Sequence, residues 1–349
     1  MEASLVLGYG FIVLSALCGG AFALPHKFVK GYAWENTWGG YFLGTMIIVP
    51  AIVAFLLLKG PFSTWSQVWD QAGALHVIAP IAFGFLWGCG CITFGIGVSR
   101  IGLSLGYSII MGLCALLGSM LPLLTQHADK VLTAAGMVIL GGISVCVVGI
   151  GICGYAGILR ERSQTADPKS VQANPNTMIV GLLICVISGV FSSCCNLAFS
   201  YGATINELSG KAFGNAPWVS TLSVWLLVFW GGFLAAGSYS AFQLFKNSTW
   251  KNFITASPCR NLSLVSLMAV LQFTALLLYG VGAYYLGELG TSIGWSVNMS
   301  CTLIMANVMG FITAEWKGAS KTSYAWIYGG LAVLILGMIV LGAGNQLQQ

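Results

Sequence analysis

Charge is what this sequence has least of. Only 7% of its 349 residues are Asp, Glu, Lys or Arg, while 57% are apolar. A soluble domain carries about a quarter charged residues, so the composition excludes an ordinary water-soluble globule and points to a membrane-embedded chain. The Lys and Arg behind the net charge of +5 are scattered through loops and form no basic stripe, which argues against a nucleic-acid partner. Histidine is scarcer still: His26, His76 and His127 are the only three. Cysteine is plentiful at eleven, but ten of them (Cys18, Cys89, Cys91, Cys114, Cys146, Cys153, Cys185, Cys194, Cys195 and Cys301) lie inside apolar runs. There the thiol behaves as a small hydrophobe. Neither Cys89-Gly-Cys91 nor Cys194-Cys195 has a His or carboxylate within a helical turn, so the sequence predicts no metal site and no cofactor. A basic n-region is missing too, since Glu2 is the only charged side chain ahead of the first apolar run. That run reads as a retained span rather than a cleaved signal.

A helical span needs about 20 mostly apolar residues. Ten windows qualify: 4–24, 35–58, 74–99, 103–124, 132–156, 177–201, 217–245, 262–286, 290–314 and 322–343. Backbone polar groups in lipid must be satisfied within each segment, which predicts helices. The expected fold is an all-α integral membrane protein. The links after odd-numbered spans carry eleven basic residues: Lys27, Lys30, Arg100, Arg160, Arg162, Lys169, Lys246, Lys251, Arg260, Lys317 and Lys321. Links after even-numbered spans carry three, Lys59, Lys130 and Lys211. The positive-inside rule then puts the odd-numbered loops in the cytoplasm and both termini outside, in the cell (inner) membrane.

The decapeptide Gly102-Leu-Ser-Leu-Gly-Tyr-Ser-Ile-Ile-Met111 returns as Gly290-Thr-Ser-Ile-Gly-Trp-Ser-Val-Asn-Met299. Five of the ten positions are identical, and Leu105/Ile293, Tyr107/Trp295 and Ile109/Val297 are alike in kind. A weaker echo links Leu14-Ser-Ala-Leu-Cys-Gly-Gly20 to Ile187-Ser-Gly-Val-Phe-Ser-Ser193. The ten transmembrane helices therefore read as two five-helix repeats. Because five is odd, the second repeat enters from the opposite side and the repeats are inverted. The predicted division is 1–157 for the first repeat, 158–176 for a polar cytoplasmic linker and 177–349 for the second. Repeated halves meeting around a shared polar site are the usual build of a secondary transporter.

Gly102-Leu-Ser-Leu-Gly106 and Gly290-Thr-Ser-Ile-Gly294 match the G-x-S-x-G of a hydrolase elbow. That elbow needs a strand before it and a histidine base, and here each copy opens a span, so close helix packing is the better reading. A membrane enzyme using Ser104 or Ser292 would lack a placed base. Trp34-Glu35-Asn-Thr-Trp38 sets a carboxylate between two tryptophans at the opening of the second span. The bland reading is an interfacial belt with an acid at a helix N-terminus; the sharper one is a proton carrier, because intramembrane acids mark proton relays. Glu288, in the short eighth-to-ninth link opposite Arg100 in the repeat register, is a structural, gating or titrating residue. Thr93, Asn196, Gln272, Asn298 and Asn307 are polar residues within spans, each of which could bond only to a neighbouring helix. Together with Trp87, Tyr107, Tyr279, Tyr284, Tyr285 and Trp295, they combine neutral donors and acceptors with stacking faces. That pairing suits a sugar. No Lys or Arg falls mid-span, which argues against a phosphate- or carboxylate-bearing substrate.

Gly20-Ala-Phe-Ala-Leu-Pro25 with Lys27 and Lys30, then Trp34-Glu35-x-x-Trp38, resembles the start of bacterial L-rhamnose–proton symporters. Trp87-Gly88-x-Gly90-x-Ile92-x-Phe94-Gly95, Gly102-x-Ser104-x-Gly106, Gly154-x-Ala156-Gly157-x-Leu159-x-Glu161-Arg162 and Glu315-Trp316 extend the resemblance, in order, along essentially the whole chain. It implies a transporter of the drug/metabolite superfamily that brings in a methylpentose with a proton by alternating access. Glu35, Trp38 and Trp87 are the residues it carries over most directly. The chain departs from the family pattern at Cys91 and Thr93, where amides are usual, and at Asn298, where a histidine is.

The expected function is thus proton-coupled uptake of a neutral sugar, L-rhamnose or a related deoxy sugar, with sodium as the alternative ion. Glu35 and Glu288 are the proton-coupling candidates. Trp38, Trp87, Thr93, Tyr107, Gln272, Tyr279, Trp295 and Asn298 are the substrate-binding candidates. The partners are the sugar, the ion and the lipid bilayer. An exporter or exchanger of another neutral metabolite on the same fold is the alternative, because topology does not fix direction.

Overall fold

The computed structural model describes residues 2–101, 103–164 and 175–348. Among the described residues there is no strand, and ten helical segments are long and apolar enough to cross a bilayer. Glu2–Ala21 (α1) runs into a 3-10 turn at Leu24–Phe28. The second span is built from Trp34–Leu43 (α2), a π-helical turn at Gly44–Ile48 and Val49–Leu57 (α3), with Pro50 in the first turn of α3. The remaining spans begin with Ala74–Ile101 (α5, after the short helix α4 at Pro61–Ala72), Leu103–Gln126 (α6) and Ala134–Gln164 (α7). Pro175–Tyr201 (α8), Pro217–Asn247 (α10) and Pro258–Tyr285 (α12) follow, then Gly290–Ile312 (α13) and Lys321–Gln348 (α14). The short amphipathic helices α4 (Pro61–Ala72) and α9 (Ala203–Phe213) follow the second and sixth spans, and Asn252–Thr255 (α11) is a single turn.

Helix α7 continues through Gln164 and α8 starts at Pro175, so the ends of the expected 158–176 linker are helical. Residues 165–174 and Gly102 lie outside the described residues.

The chain forms two compact units that each draw on both ends of the sequence. One comprises Met1–Cys89 and Leu197–Tyr285, the other Gly90–Asn196 and Leu286–Gln349. A division at 157 follows the repeat in the sequence; these units interleave segments from either side of it.

In the first unit α10 is the central helix, with 83% of its apolar window buried. Helices α2 and α12 and the first part of α5 pack on it. The α5 crossing is close because a side chain at Gly84 or Gly88 would strike the backbone at Val228 or Gly232. Such small-residue crossings let helices pack tightly in lipid, where hydrophobic driving force is absent. Phe199, Trp225, Phe229 and Tyr279 interlock beside them, the Phe199 and Trp225 rings lying 4.7 Å apart and nearly parallel. Ser15 Oγ on α1 donates to the Ala275 carbonyl at 2.7 Å, fastening α1 to α12. Helices α4 and α9 pack together, and Trp65 and Trp69 rest on Trp230.

The second unit is organised on an antiparallel α7–α14 pair with a seven-residue rhythm. Gly142 and Gly149 receive Leu341 and Leu334, while Gly330, Gly337 and Gly344 receive Cys153, Cys146 and Ile139. Ideal Cβ atoms at these five glycines would come within 2.5–2.8 Å of the facing side chain. The two cysteines thus serve as knobs in glycine holes. At the end of α7, Gln164 Nε2 donates to the carbonyls of Glu315 and Lys317, and the Arg160 guanidinium lies 5.1 Å from the centre of the Trp316 ring.

Candidate functional site

Glu35 sits in the first turn of α2, which starts after an extended Ala33. An acid there is favoured by the helix dipole. Its side chain is 4% exposed, and among the described residues it is the only buried Asp or Glu. Burying a carboxylate demands compensating hydrogen bonds. Oε1 accepts two, from Asn247 Nδ2 at 2.9 Å and Thr249 Oγ1 at 2.8 Å. Both donors come from the end of α10 and the turn after it, where Ser248 is left-handed at φ 54°.

Asn36, also buried, extends this polar belt. Its Oδ1 accepts from the Ala33 N–H and Asn252 Nδ2, and its Nδ2 donates to the Thr249 carbonyl at 3.0 Å. Asn261 closes the belt by exchanging hydrogen bonds with the Lys30 backbone in both directions while donating to the Ala256 carbonyl. One turn after Glu35, Trp38 is half-buried and packs against His26 and edge-on to Tyr41.

The other expected residues of this unit lie on α5 and α12. Trp87 is half-buried against Phe229 and covers Gly232. Gln272 is half-buried. Tyr279 is fully buried among Phe199 and Trp225.

In the second unit, Thr93 Oγ1 donates back to the Gly90 carbonyl, which also accepts from Ser188 Oγ. Tyr107 meets Phe94 edge-on, with ring centres 6.0 Å apart. Trp295 is 3% exposed; its indole N–H donates to the Cys114 carbonyl at 3.0 Å and its ring fills the space over Gly118. Asn298 is buried one turn further along α13. Glu288, in the link before α13, is half exposed and lies 3.6 Å from His127 Nδ1 and 3.5 Å from Lys130 Nζ. The candidates therefore form two sets of five. Glu35, Trp38, Trp87, Gln272 and Tyr279 belong to the first unit, and Thr93, Tyr107, Glu288, Trp295 and Asn298 to the second.

Sequence reasoning did not single out Asn247 and Thr249. Polar residues at a helix end ordinarily read as caps, and nothing local says that these two reach residue 35. It named Asn196 only as a polar residue in a span. That amide in fact donates to the carbonyls of Gly118 on α6 and Thr291 on α13, at 2.7 and 3.0 Å. Beside it Ser119 and Ser296 share a 2.6 Å hydrogen bond. The second copy of the repeat motif thus lies in a packing seam, its Thr291 and Ser296 joined through Asn196 and Ser119 to neighbouring helices. The Ser292 hydroxyl is fully buried, and Ser104 is among the residues whose side chains are not described. Among the described residues no three His, Cys, Asp or Glu side chains are grouped to hold a metal ion.

Similarity to known proteins runs along the whole chain. Residues 1–346 match the model of the L-rhamnose-proton symport protein family. Proteins named L-rhamnose-proton symporter from Yersinia pestis (strain Pestoides F) and Yersinia pseudotuberculosis serotype O:1b (strain IP 31758) are each 27% identical over 354 residues, covering 99% of this chain and 99% of their own. The protein of that name from Yersinia pestis bv. Antiqua (strain Antiqua) is 28% identical over 357 residues with the same coverage. The family is one of transporters and not of enzymes, which sets the serine-hydrolase reading aside. A ten-span helical chain matched over this length is a multi-pass membrane protein and belongs to the L-rhamnose-proton symport protein family.

Proposed function

We propose that this chain carries L-rhamnose, or a closely related deoxy sugar, into the cell together with a proton. The observation that carries the reading is Glu35, the one buried carboxylate among the described residues, held by neutral donors alone in a chain of this family. A buried acid held by an amide and a hydroxyl can exist charged or neutral, and such intramembrane acids mark proton relays. Glu35 is the coupling acid in this reading, and the half-exposed Glu288 is a secondary candidate with a minor share in coupling. The half-buried rings of Trp38, Trp87 and Tyr107 are candidate stacking faces for the sugar, and the buried Tyr279 and Trp295 are further aromatic candidates. Thr93, Gln272 and Asn298 supply hydroxyl partners.

Transport proceeds by alternating access in the cell (inner) membrane, with odd-numbered loops cytoplasmic and both termini outside. The ten spans are two inverted five-helix repeats, 1–157 and 177–349, on a drug/metabolite-superfamily fold, and the 158–176 segment between them begins and ends as extensions of α7 and α8. Export or exchange of another neutral metabolite is the second reading. The small Cys91 and Thr93 and the neutral Asn298, where the family pattern has larger or titratable groups, favour it.

Uptake of labelled L-rhamnose into proteoliposomes, with and without an inward proton gradient and against a panel of unlabelled sugars, separates the two. Accumulation that requires the gradient and is competed by rhamnose and its deoxy relatives is the expected result. Folded protein that shows no uptake would leave the second reading.

A further inference from the structure

The belt around Glu35 contains two kinds of polar side chain. Several hydroxyls on α10, α11 and α12 turn back on backbone carbonyls of their own segment. Ser240 donates to the Ala236 carbonyl, Thr255 to Lys251 and Ser263 to Cys259, each four residues back. Asn36 and Asn261 likewise spend their amides on backbone groups of nearby turns and on Asn252. Asn247 and Thr249 do something different: both aim a donor at the same oxygen of the one buried carboxylate. Thr249 is also gripped from a second side, because its carbonyl accepts from Asn36, the residue next to Glu35. Two adjacent residues of the α2 first turn therefore hold one residue of the α10–α12 link by two different atoms.

Hydrogen bonds to an ionised acceptor are about twice as strong as those between neutral groups. A proton arriving on Oε1 displaces a donor, and one arriving on the other oxygen leaves a neutral carbonyl that accepts more weakly. Either way the grip on the link slackens. We propose that Asn247 and Thr249 are positioning residues for Glu35, holding its charged carboxylate and passing its protonation to the 247–256 link and the end of α10. The inference rests on the reading of Glu35 as the coupling acid.

The test compares two activities of the same proteoliposomes, gradient-driven accumulation of labelled L-rhamnose and gradient-free counterflow, in Thr249→Val, Asn247→Leu, Thr249→Ser and Glu35→Gln. Losing one hydrogen bond to a charged group should lower accumulation roughly tenfold in Thr249→Val and Asn247→Leu. Counterflow should fall by no more than about twofold, and Thr249→Ser, which keeps the hydroxyl, should restore accumulation. Parental accumulation in both variants would overturn the proposal. Parallel loss of both activities, or failure of serine to restore accumulation, would reduce the pair to packing and overturn it too. Glu35→Gln separates the two levels. If it accumulates like the parent, the reading of Glu35 fails; if it is uncoupled while the 247 and 249 variants remain coupled, only the present inference fails.

Discussion

Glu35 and Glu288 are both carboxylates at the opening of a span, yet the fold treats them in opposite ways. Glu35 is buried and held by an amide and a hydroxyl, and among the described residues no cation hydrogen-bonds to it. Glu288 is half exposed and faces Lys130 and His127 across more than 3.4 Å. A buried carboxylate satisfied by neutral donors has its charge stabilised only by short, oriented dipoles, so gaining a proton changes every one of those bonds. An exposed carboxylate near cations is largely paid for by water, and its partners come and go at little cost. Burial, not mere presence in a membrane protein, separates a candidate proton carrier from a surface ion pair.

The sharpest way to break that comparison is Glu35→Gln. Glutamine keeps an oxygen that can accept from Asn247 and Thr249, so the belt should survive while the titrating charge is lost. Accumulation against a gradient should disappear and counterflow should persist, measured side by side in proteoliposomes. Asn196 inverts the chemistry, since here a buried donor serves two backbone carbonyls on different helices. Asn196→Ala leaves both carbonyls short of that donor and should cost about 1–3 kcal/mol, read as a lower unfolding temperature in detergent. Trp295→Phe removes one indole N–H bond to Cys114 and should cost about 1 kcal/mol on the same scale. If Trp295→Phe destabilised more than Asn196→Ala, packing over Gly118 and not hydrogen bonding would dominate that seam.

The spans were legible because their signal is long and one-dimensional. Twenty apolar residues force a helix in lipid whatever surrounds them, and all ten windows correspond to helical segments long and apolar enough to cross a bilayer. The short helices α4 and α9 were not, because a run such as Pro61–Ala72 mixes Ser, Gln and Asp with Trp and has no lipid length to give it away. Glu35 was legible as a lone acid between tryptophans. Its donors were not, because Asn247 and Thr249 lie more than two hundred residues away and reach it only through packing of α10 on α2. The cysteines show the same limit from the other side. Their burial follows from the apolar runs, but that Cys146 and Cys153 seat against Gly337 and Gly330 depends on the register of two distant helices.

The smallest effect belongs to Glu288→Gln. The side chain is half exposed and lies 3.5 Å from Lys130 Nζ and 3.6 Å from His127 Nδ1, a geometry for which exposed pairs contribute about 0–1 kcal/mol. What remains should shrink further as added salt screens it. His127 adds to the attraction only when it carries a proton. The variant should therefore leave the unfolding temperature nearly unchanged at moderate ionic strength and leave gradient-driven accumulation within about twofold of the parent. A loss of accumulation as deep as that of Glu35→Gln would show that exposure does not disqualify an acid from coupling. The link before α13 would then stand beside the first turn of α2 as a second point of proton entry.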